Sequence, residues 1–471
     1  MFLIKPYLQK EFQIECSHMQ AVLTENESTK EKILFEGPGI IRFSSQGTIS
    51  FKMFNHIPAN QESEKYLNFF SIGDDNNQCL LRVYDYAGYK WEGWTNLFCS
   101  IWDIHQADFL ITGKLDSLTT VNLDTIYQPS KKIIPACYLY YIQYPEFYYT
   151  SQTKSETKIN GKAIRHKFWR NQSTFNFRER KITLGKSLDE DYFIISAQYW
   201  DESLAPNVEV WLQEALDFCT ASIVKPRLIL RKMGNMEKIT LLDTTFNMIE
   251  LLPSPFVNVS GAQLLTYAFS CYLEYCLNKE PLDSLEFNDL TLTFLNVLHS
   301  SKGSGSNFLE TLCIACEHCF DEITGDFVKS DFDGDKIDYL KKAIKQLDAN
   351  IFSSDQKNRM TGLLKLLEKP SSNQKMRFLL RNGIITKDQM TIWNSYRNIL
   401  SHGGNADSSD KLSSVRNAAA ELLYMFYRLI YQIIGYSGAC FEYDRQKGET
   451  VMGNFDAKVF NKDSILGLRN K

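Results

Sequence analysis

Short hydrophobic runs that alternate with polar residues dominate the chain up to about residue 205. Such runs cover residues 40–43, 48–53, 79–84, 109–115 and 192–197. Alternation with a period of two is typical of β-strands that bury one face. A helical stretch over residues 208–221 and a strand pair at residues 227–231 and 238–243 follow. The pattern predicts an antiparallel sandwich or barrel, and we expect a sandwich-like β-rich domain.

Beyond about residue 257 the hydrophobic residues recur at spacings of three and four, which is typical of helices. The helical stretches cover residues 261–277, 309–323, 336–351, 355–369, 388–402 and 411–434. Pro253 and Pro255 interrupt both helix and sheet, so they mark a boundary between the two patterns. We predict an α+β multidomain protein, with a β-rich domain over residues 1–250 and an all-α helical bundle over residues 258–436. Residues 437–471 predict a C-terminal extension in the form of a hairpin or an arm.

Composition narrows the class of protein. A hydrophobic content of 44% and a charged content of 23% are those of an ordinary globular protein. The net charge of −4 excludes a globally basic nucleic-acid coat but allows a local basic site. Arg428 and Gln432 interrupt the longest apolar stretch, so we expect no contact with a membrane. The absence of a secretory signal and the scattered cysteines predict a reducing, cytoplasmic setting.

The segment from residue 393 to residue 404 has the sequence WNSYRNILSHGG and lies at the end of a helical stretch. Arg397 carries a guanidinium, which can bind a phosphate through paired hydrogen bonds. His402 carries an imidazole, which can move a proton near neutral pH. Gly403 and Gly404 predict that the helix ends there, because glycine readily supplies a left-handed C-cap. The guanidinium and the imidazole are the groups that metal-free cleavage of an RNA backbone requires.

The spacing within this segment limits which residues can act together. Asn398 and His402 lie four residues apart and therefore share one face of a helix. Arg397 and His402 lie five residues apart and would diverge by about 140° on an ideal helix. A catalytic pair therefore requires the helix to end or bend near His402, where the helix dipole would favour a protonated imidazole.

Arg397, Asn398 and His402 together resemble the R-x4–6-H motif of the HEPN family (higher eukaryote and prokaryote nucleotide-binding). The preceding WNSY and the trailing HGG look like the Apea-like branch, in which a β-rich N-terminal domain precedes a HEPN bundle. The resemblance covers about residues 261–436 for the bundle, and only the architecture for the first 250 residues. It implies a metal-independent endoribonuclease that acts as a dimer and uses no cofactor. Many members are toxins in bacterial antiphage defence by abortive infection.

The same resemblance implies roles for the residues and partners for the chain. Arg397 and His402 would be catalytic, and Asn398 would orient or contact the phosphate. The substrate would be RNA, with tRNA as one candidate. One chain supplies one His in this motif, so a homodimer formed through the bundle would supply the acid and the base together. The β-rich domain would recognise a phage-derived trigger or restrain the bundle, and the sequence leaves both open.

A basic cluster precedes the motif and offers a surface for RNA. Its candidate contacts are Arg377, Arg381 and Lys375, because positive charge along a helix can follow a phosphate backbone. A solvated helix face explains the same residues, and the sequence does not separate the two interpretations.

Two further alternatives concern the bundle itself. A non-catalytic HEPN module for dimerisation or ligand binding would carry the same motif, and a packed Arg with a helix-capping His would need no HEPN domain at all. The cysteine-rich run Cys313, Cys316, His318 and Cys319 offers possible zinc ligands. Structural zinc sites usually draw on two separated pairs, so a stripe of packed cysteines is the better explanation, and we predict no metal site.

Overall fold

The structure is a computed structural model. The chain forms two compact units, the first rich in strands and the second mostly helical. The first unit contains the strands that precede residue 250, and the second contains the helices from Asp289 onward. The predicted α+β fold is therefore confirmed. The structure describes residues 4–24, 31–56, 78–103, 108–121, 123–124, 135–145, 149, 151–159, 162–178, 180–187, 192–198, 208–233, 236–248, 251–256, 262–279, 287–330, 334–348, 351–401, 412–444 and 447–460.

Six antiparallel strands of the first unit close into a barrel. They are β1 (Phe12–Thr24), β2 (Glu31–Phe43), β3 (Ile49–His56), β4 (Gln78–Asp85), β5 (Lys90–Asp103) and β6 (Asp108–Leu115). The strand order β5-β4-β1-β2-β3-β6 closes because β6 also pairs with β5. The barrel is one of the two arrangements that the alternation allowed, whereas the expected sandwich-like arrangement is wrong for these strands. Alternation along a strand does not show whether a sheet closes on itself.

The barrel interior is filled by the alternate residues of each strand. Ile41, Phe51 and Ile111 are almost completely buried, and Phe51 lies opposite Gly113 on β6. A Cβ at Gly113 would lie 2.5 Å from Cε1 of Phe51, so only glycine leaves room for that ring. Trp91 is also fully buried, and its Nε1 donates a hydrogen bond of 3.0 Å to Asp85.

The sheet continues from the barrel into an open antiparallel part. Its strands are β7 (Ser117–Thr120), β8 (Leu123–Asp124), β9 (Ala136–Tyr141), β10 (Ser151–Ile159), β11 (Lys162–Phe177), β12 (Arg180–Lys186), β13 (Phe193–Gln198), β14 (Leu228–Met233) and β15 (Met236–Leu242). Their order from the barrel outward is β7-β15-β14-β9-β13-β12-β11-β10, and β8 pairs with β15. Helix α1 (Val208–Thr220) packs against β9 and buries most of its residues.

Arg227 lies where the barrel meets the open part of the sheet. The side chain is fully buried, and its guanidinium carbon lies 4.6 Å from the ring centroid of Phe43 and 5.4 Å from that of Phe12. Its Nη1 donates a hydrogen bond of 3.2 Å to the carbonyl of Gly47. Burial lowers the pKa of Arg227 to about 10. The arginine therefore acts as a packed core residue rather than as a site open to ligands.

The second unit is helical. Its helices are α2 (Ala262–Lys279), of which Tyr267–Lys279 belong to this unit, α3 (Asp289–Ser300), α4 (Gly305–Thr324), α5 (Gly334–Lys345), α6 (Ser354–Leu367), α7 (Ser372–Arg381), α8 (Lys387–Ser401) and α9 (Leu412–Ile433). Helices α4 and α9 form its centre, and α3, α7 and α8 pack around α4. A hairpin of β16 (Gly438–Asp444) and β17 (Glu449–Phe455) packs on α9. Its contacts include a hydrogen bond of 3.0 Å between the hydroxyls of Tyr424 and Thr450.

Local capping explains several helix ends, including those of α3 and α7, which the hydrophobic spacing did not predict. Asn288 accepts a hydrogen bond of 2.8 Å from the N–H of Thr291 at the start of α3. Ser371 and Gln374 form a capping box at the start of α7. Helix α7 is short and mostly polar, and Met376 and Leu379 are its buried residues, so few apolar positions mark it in the sequence. None of the described helices has the length and apolar character needed to cross a membrane.

Asp217 on α1 allows a test of how burial in the core of the first unit affects its stability. Its carboxylate is fully buried and accepts a hydrogen bond of 3.0 Å from the N–H of Val224, and burial raises its pKa well above the ordinary value. The folded state therefore favours the protonated acid, and this contribution to stability is lost as the pH rises above 3.8. We predict that Asp217→Asn loses less stability than the wild type between pH ~5 and ~8.

The measurement is the urea midpoint of the first unit as a function of pH. Asp116→Asn is the matched control, because Asp116 is exposed in the same unit. Parallel pH profiles for Asp217→Asn and the wild type would contradict the prediction.

Candidate functional site

Trp393 anchors α8 to the central helix α4. The indole is almost completely buried, and its Nε1 donates a hydrogen bond of 3.1 Å to the carbonyl of Cys313. The ring of Phe320 meets it edge-on, at 5.6 Å between centroids. Because Trp393 lies one helical turn before Arg397, this contact determines which face of α8 lies against α4.

Arg397 lies on the same face, one turn closer to the end of α8. Its Nη2 lies 3.2 Å from Oε1 and 3.4 Å from Oε2 of Glu317 on α4. Its guanidinium carbon lies 5.4 Å from the centroid of the Trp393 ring. A carboxylate and an aromatic face therefore hold the guanidinium in one place.

The guanidinium nevertheless keeps hydrogen-bonding capacity. The Arg397 side chain is 41% exposed. No described residue accepts a hydrogen bond from its Nε, which is buried, and both hydrogen bonds to Glu317 come from Nη2. An arginine has five N–H donors, so one carboxylate does not saturate it. A phosphate could therefore bind the exposed part of the group while Glu317 retains the other.

Two carboxylates on α4 bind groups from two neighbouring helices. Glu317 accepts a hydrogen bond from the hydroxyl of Ser372 on α7 as well as from Arg397. Asp321, one turn further along α4, forms an ion pair with Lys375 of α7. The residues at i and i+4 on α4 thus align α7 and α8 side by side.

The structure describes only some of the residues that the motif predicts to act with Arg397. Asn398 is exposed on α8, directly after Arg397. His402, Gly403 and Gly404 lie outside the described residues, and the helix is described as far as Ser401. The predicted helix end and the pairing of Arg397 with His402 therefore stay predictions.

The basic residues before the motif differ in their exposure and in their ion pairs. Arg377 and Arg381 are exposed and lie four residues apart on α7, and no described residue forms an ion pair with either. Lys375 is mostly buried, and Asp321 offsets its charge. Of the three candidate RNA contacts, the two arginines are therefore accessible and the lysine is engaged.

The cysteines of α4 belong to the core. Cys316 and Cys319 are fully buried, and Cys313 is nearly so. Burial raises the pKa of the Cys313 thiol to about 12, so it is protonated at neutral pH and a poor nucleophile or metal ligand. Within the part of the chain that the structure describes, no group of three or more His, Cys, Asp or Glu side chains could hold a metal ion.

Sequence reasoning missed Glu317 and Ser372 as parts of this site, and it included Trp393 in the WNSY resemblance without predicting its packing role. Glu317 is an acid inside the cysteine stripe, four residues after Cys313, and that position on the helix was the available signal. Ser372 had no comparable signal, because only the packing of α7 against α4 brings its hydroxyl to the carboxylate.

Comparison with known proteins yielded no relatives: no protein-family model, no curated protein and no solved structure matched this chain. The motif and the geometry of the residues around it are therefore the observations that bear on function. Those residues come from α4, α7 and α8, all within the second unit.

The contact between Glu317 and Arg397 can be measured by a double-mutant cycle. We predict a coupling of about 0.5–1 kcal/mol between Glu317→Ala and Arg397→Ala, because the pair is partly exposed. The free energy of unfolding of the second unit in urea provides the measurement. Glu310→Ala is the matched control, because Glu310 is exposed on the same helix. A coupling energy of zero would show that the two side chains do not interact in solution.

Proposed function

We propose that this protein is a metal-independent endoribonuclease of the HEPN type, with its active site at the end of α8. One observation carries the proposal. The guanidinium of Arg397 is held by Glu317 and Trp393 but remains 41% exposed, directly before Asn398 and five residues before His402. A fixed and accessible guanidinium is what binding of a phosphodiester requires, because a pre-positioned charge needs little reorganisation during the reaction.

Each residue of the motif would have a separate role in the cleavage reaction. The 2′-hydroxyl of RNA attacks the adjacent phosphorus and loses its proton to a base, and the 5′-oxygen leaves with a proton from an acid. The products are a 2′,3′-cyclic phosphate and a 5′-hydroxyl. Arg397 would stabilise the negative charge that builds on the phosphoryl oxygens, and Asn398 would orient the phosphate. His402 would transfer protons.

A homodimer would complete this division of roles. The reaction needs a base and an acid at the same phosphate, and one motif supplies a single imidazole. Two motifs brought together through their helical bundles would supply two His and two Arg. The proposed active unit is therefore a dimer joined through the bundle, with each chain contributing one half of the site.

Helix α7 would guide RNA towards the site. Arg377 and Arg381 are exposed on α7, whose Ser372 shares the carboxylate of Glu317 with Arg397. Positive charge beside a cleavage site increases affinity for the phosphate backbone and makes that affinity depend on salt. Lys375 would contribute less, because it is paired with Asp321.

In the cell, such an activity fits a toxin effector of antiphage defence that acts by abortive infection. The β-rich unit would then recognise the trigger or restrain the bundle. A non-catalytic HEPN module for dimerisation or ligand binding is the second candidate, and one observation favours it. The internal ion pair with Glu317 already gives Arg397 a structural partner, as a purely structural arginine would have.

Cleavage by the purified full chain separates these two functions. We predict that the protein cuts single-stranded RNA in the presence of EDTA and leaves 2′,3′-cyclic phosphate ends. Loss of an acid–base group typically costs between about a hundredfold and ten-thousandfold, so His402→Ala should lower the rate by at least about a hundredfold. Arg397→Ala should have a comparable effect. Gel analysis of end-labelled RNA with enzymatic mapping of the new ends would measure both.

Matched variants control for changes that do not involve the site. His299→Ala and Arg416→Ala remove an exposed histidine and an exposed arginine from the same unit and should leave the rate unchanged. If His402→Ala cuts RNA as fast as His299→Ala does, the catalytic assignment is wrong and the non-catalytic module is favoured.

Expression in bacteria tests the proposed role as a toxin. We predict that the wild-type chain arrests growth under inducing conditions, whereas His402→Ala allows growth, because arrest would require RNA cleavage. Culture density and bulk RNA integrity after induction are the measurements. Equal arrest by both proteins at equal expression would contradict a toxic role for the ribonuclease activity.

A further inference from the structure

The outward side of four barrel strands carries a second set of groups suited to nucleic acid. These strands are β2, β3, β6 and β5, which are consecutive neighbours around the barrel, and we call their outward side the outer barrel face. It belongs to the first unit, whereas the proposed cleavage site belongs to the second. The inference therefore does not depend on the proposed function.

Strand register places cations and hydrogen-bonding groups in one row across this face. Arg42 lies opposite Ser50, Ser50 opposite Lys114, and Lys114 opposite Asn96. Arg42, Lys114 and Asn96 are exposed, and Ser50 is half-buried. Neighbouring strands lie about 4.8 Å apart, so the row spans roughly 14 Å of surface.

The next row combines a cation with an aromatic ring. Lys52 lies opposite Thr112, and Thr112 lies opposite Phe98. Phe98 is 64% exposed, and Trp94 on the same strand is 50% exposed. Both rings project from the outward side of β5, about 13 Å apart along the strand. The two rings therefore lie on the same side of the sheet as the cations of the two rows.

The charge on the two rows is positive. Within the described part of the chain, no ion pair involves Arg42, Lys52 or Lys114, and neither row contains a carboxylate. Glu92, further along β5, is neutralised by Arg82 at 2.9 Å and Lys90 at 3.3 Å. The face therefore presents unpaired cations beside exposed rings, although the whole chain has a net charge of −4.

We propose that the outer barrel face binds single-stranded nucleic acid. The cations would contact successive phosphates, and Trp94 and Phe98 would each stack with a base. Asn96 and Thr112 would hydrogen-bond to base edges or sugars. A duplex would bind less well, because its bases are already stacked within the helix and do not expose their faces to the rings. A protein partner with an acidic surface is the alternative, and under it the oligonucleotide probes below would show no saturable binding.

Fluorescence anisotropy with the full-length His402→Ala protein tests this inference, since that background separates binding from cleavage. The probes are fluorescein-labelled oligouridine and oligothymidine of about 12 nucleotides, which is within the usual site size of such surfaces. We expect saturable binding, which Trp94→Ala and Phe98→Ala each weaken about tenfold. Lys52→Gln and Lys114→Gln should each reduce the slope of log affinity against log salt by about 0.7. A preference for one probe would identify RNA or DNA as the natural ligand.

Matched substitutions outside the face distinguish specific loss from general loss. Phe246→Ala removes a ring that is 70% exposed, and Lys238→Gln removes an exposed lysine from β15 of the same unit. Both should bind as the parent does, and circular dichroism should show that every variant is folded. The inference is overturned if the face variants bind as tightly as these controls, if a fluorescein-labelled duplex of the same length binds as tightly as the single strands, or if no saturable binding occurs. Loss of cleavage in Arg397→Ala with retained binding would show that the two sites are separate.

Discussion

The geometry of the candidate site depends on the hydrogen bonds that the Glu317 carboxylate accepts. It accepts hydrogen bonds from Arg397 on α8 and from Ser372 on α7, so a single side chain of α4 holds both helices in place. Trp393 supports the same arrangement through the carbonyl of Cys313 and the ring of Phe320. The central position of α4 is therefore as important as the motif, because the motif alone would not hold its arginine still.

The two units use arginine in opposite ways, and the difference is physical. Arg227 is fully buried beside Phe43 and Phe12, and loss of water lowers its pKa to about 10. Arg397 also lies near an aromatic ring and a carboxylate, but it retains 41% of its exposure. A guanidinium that keeps part of its hydration can exchange water for phosphate, whereas a fully buried one has already given up its solvent to the core.

The chain would thus carry two sites for nucleic acid. The helical unit would cut a phosphodiester with Arg397 and His402, and the outer barrel face would bind single strands through cations and stacked rings. The motif that indicates cleavage is visible in the sequence, because its residues are neighbours along one helix. The outer barrel face is not, because Lys52 and Phe98 are brought into one row only by the pairing of β3, β6 and β5.

What the sequence determined by itself is local. Period-two alternation predicted strands, spacings of three and four predicted most of the helices, and buried cysteines followed from their helical spacing in α4. The short polar helix α7 was not predicted because only Met376 and Leu379 of its ten residues are buried, and capping by Ser371 defines its start. Only the tertiary structure decided that the strands close into a barrel, since closure depends on β5 pairing with both β4 and β6. It also decided that Glu317 meets Arg397 across 80 residues of chain, because packing between helices brings together side chains whose separation in sequence carries no signal.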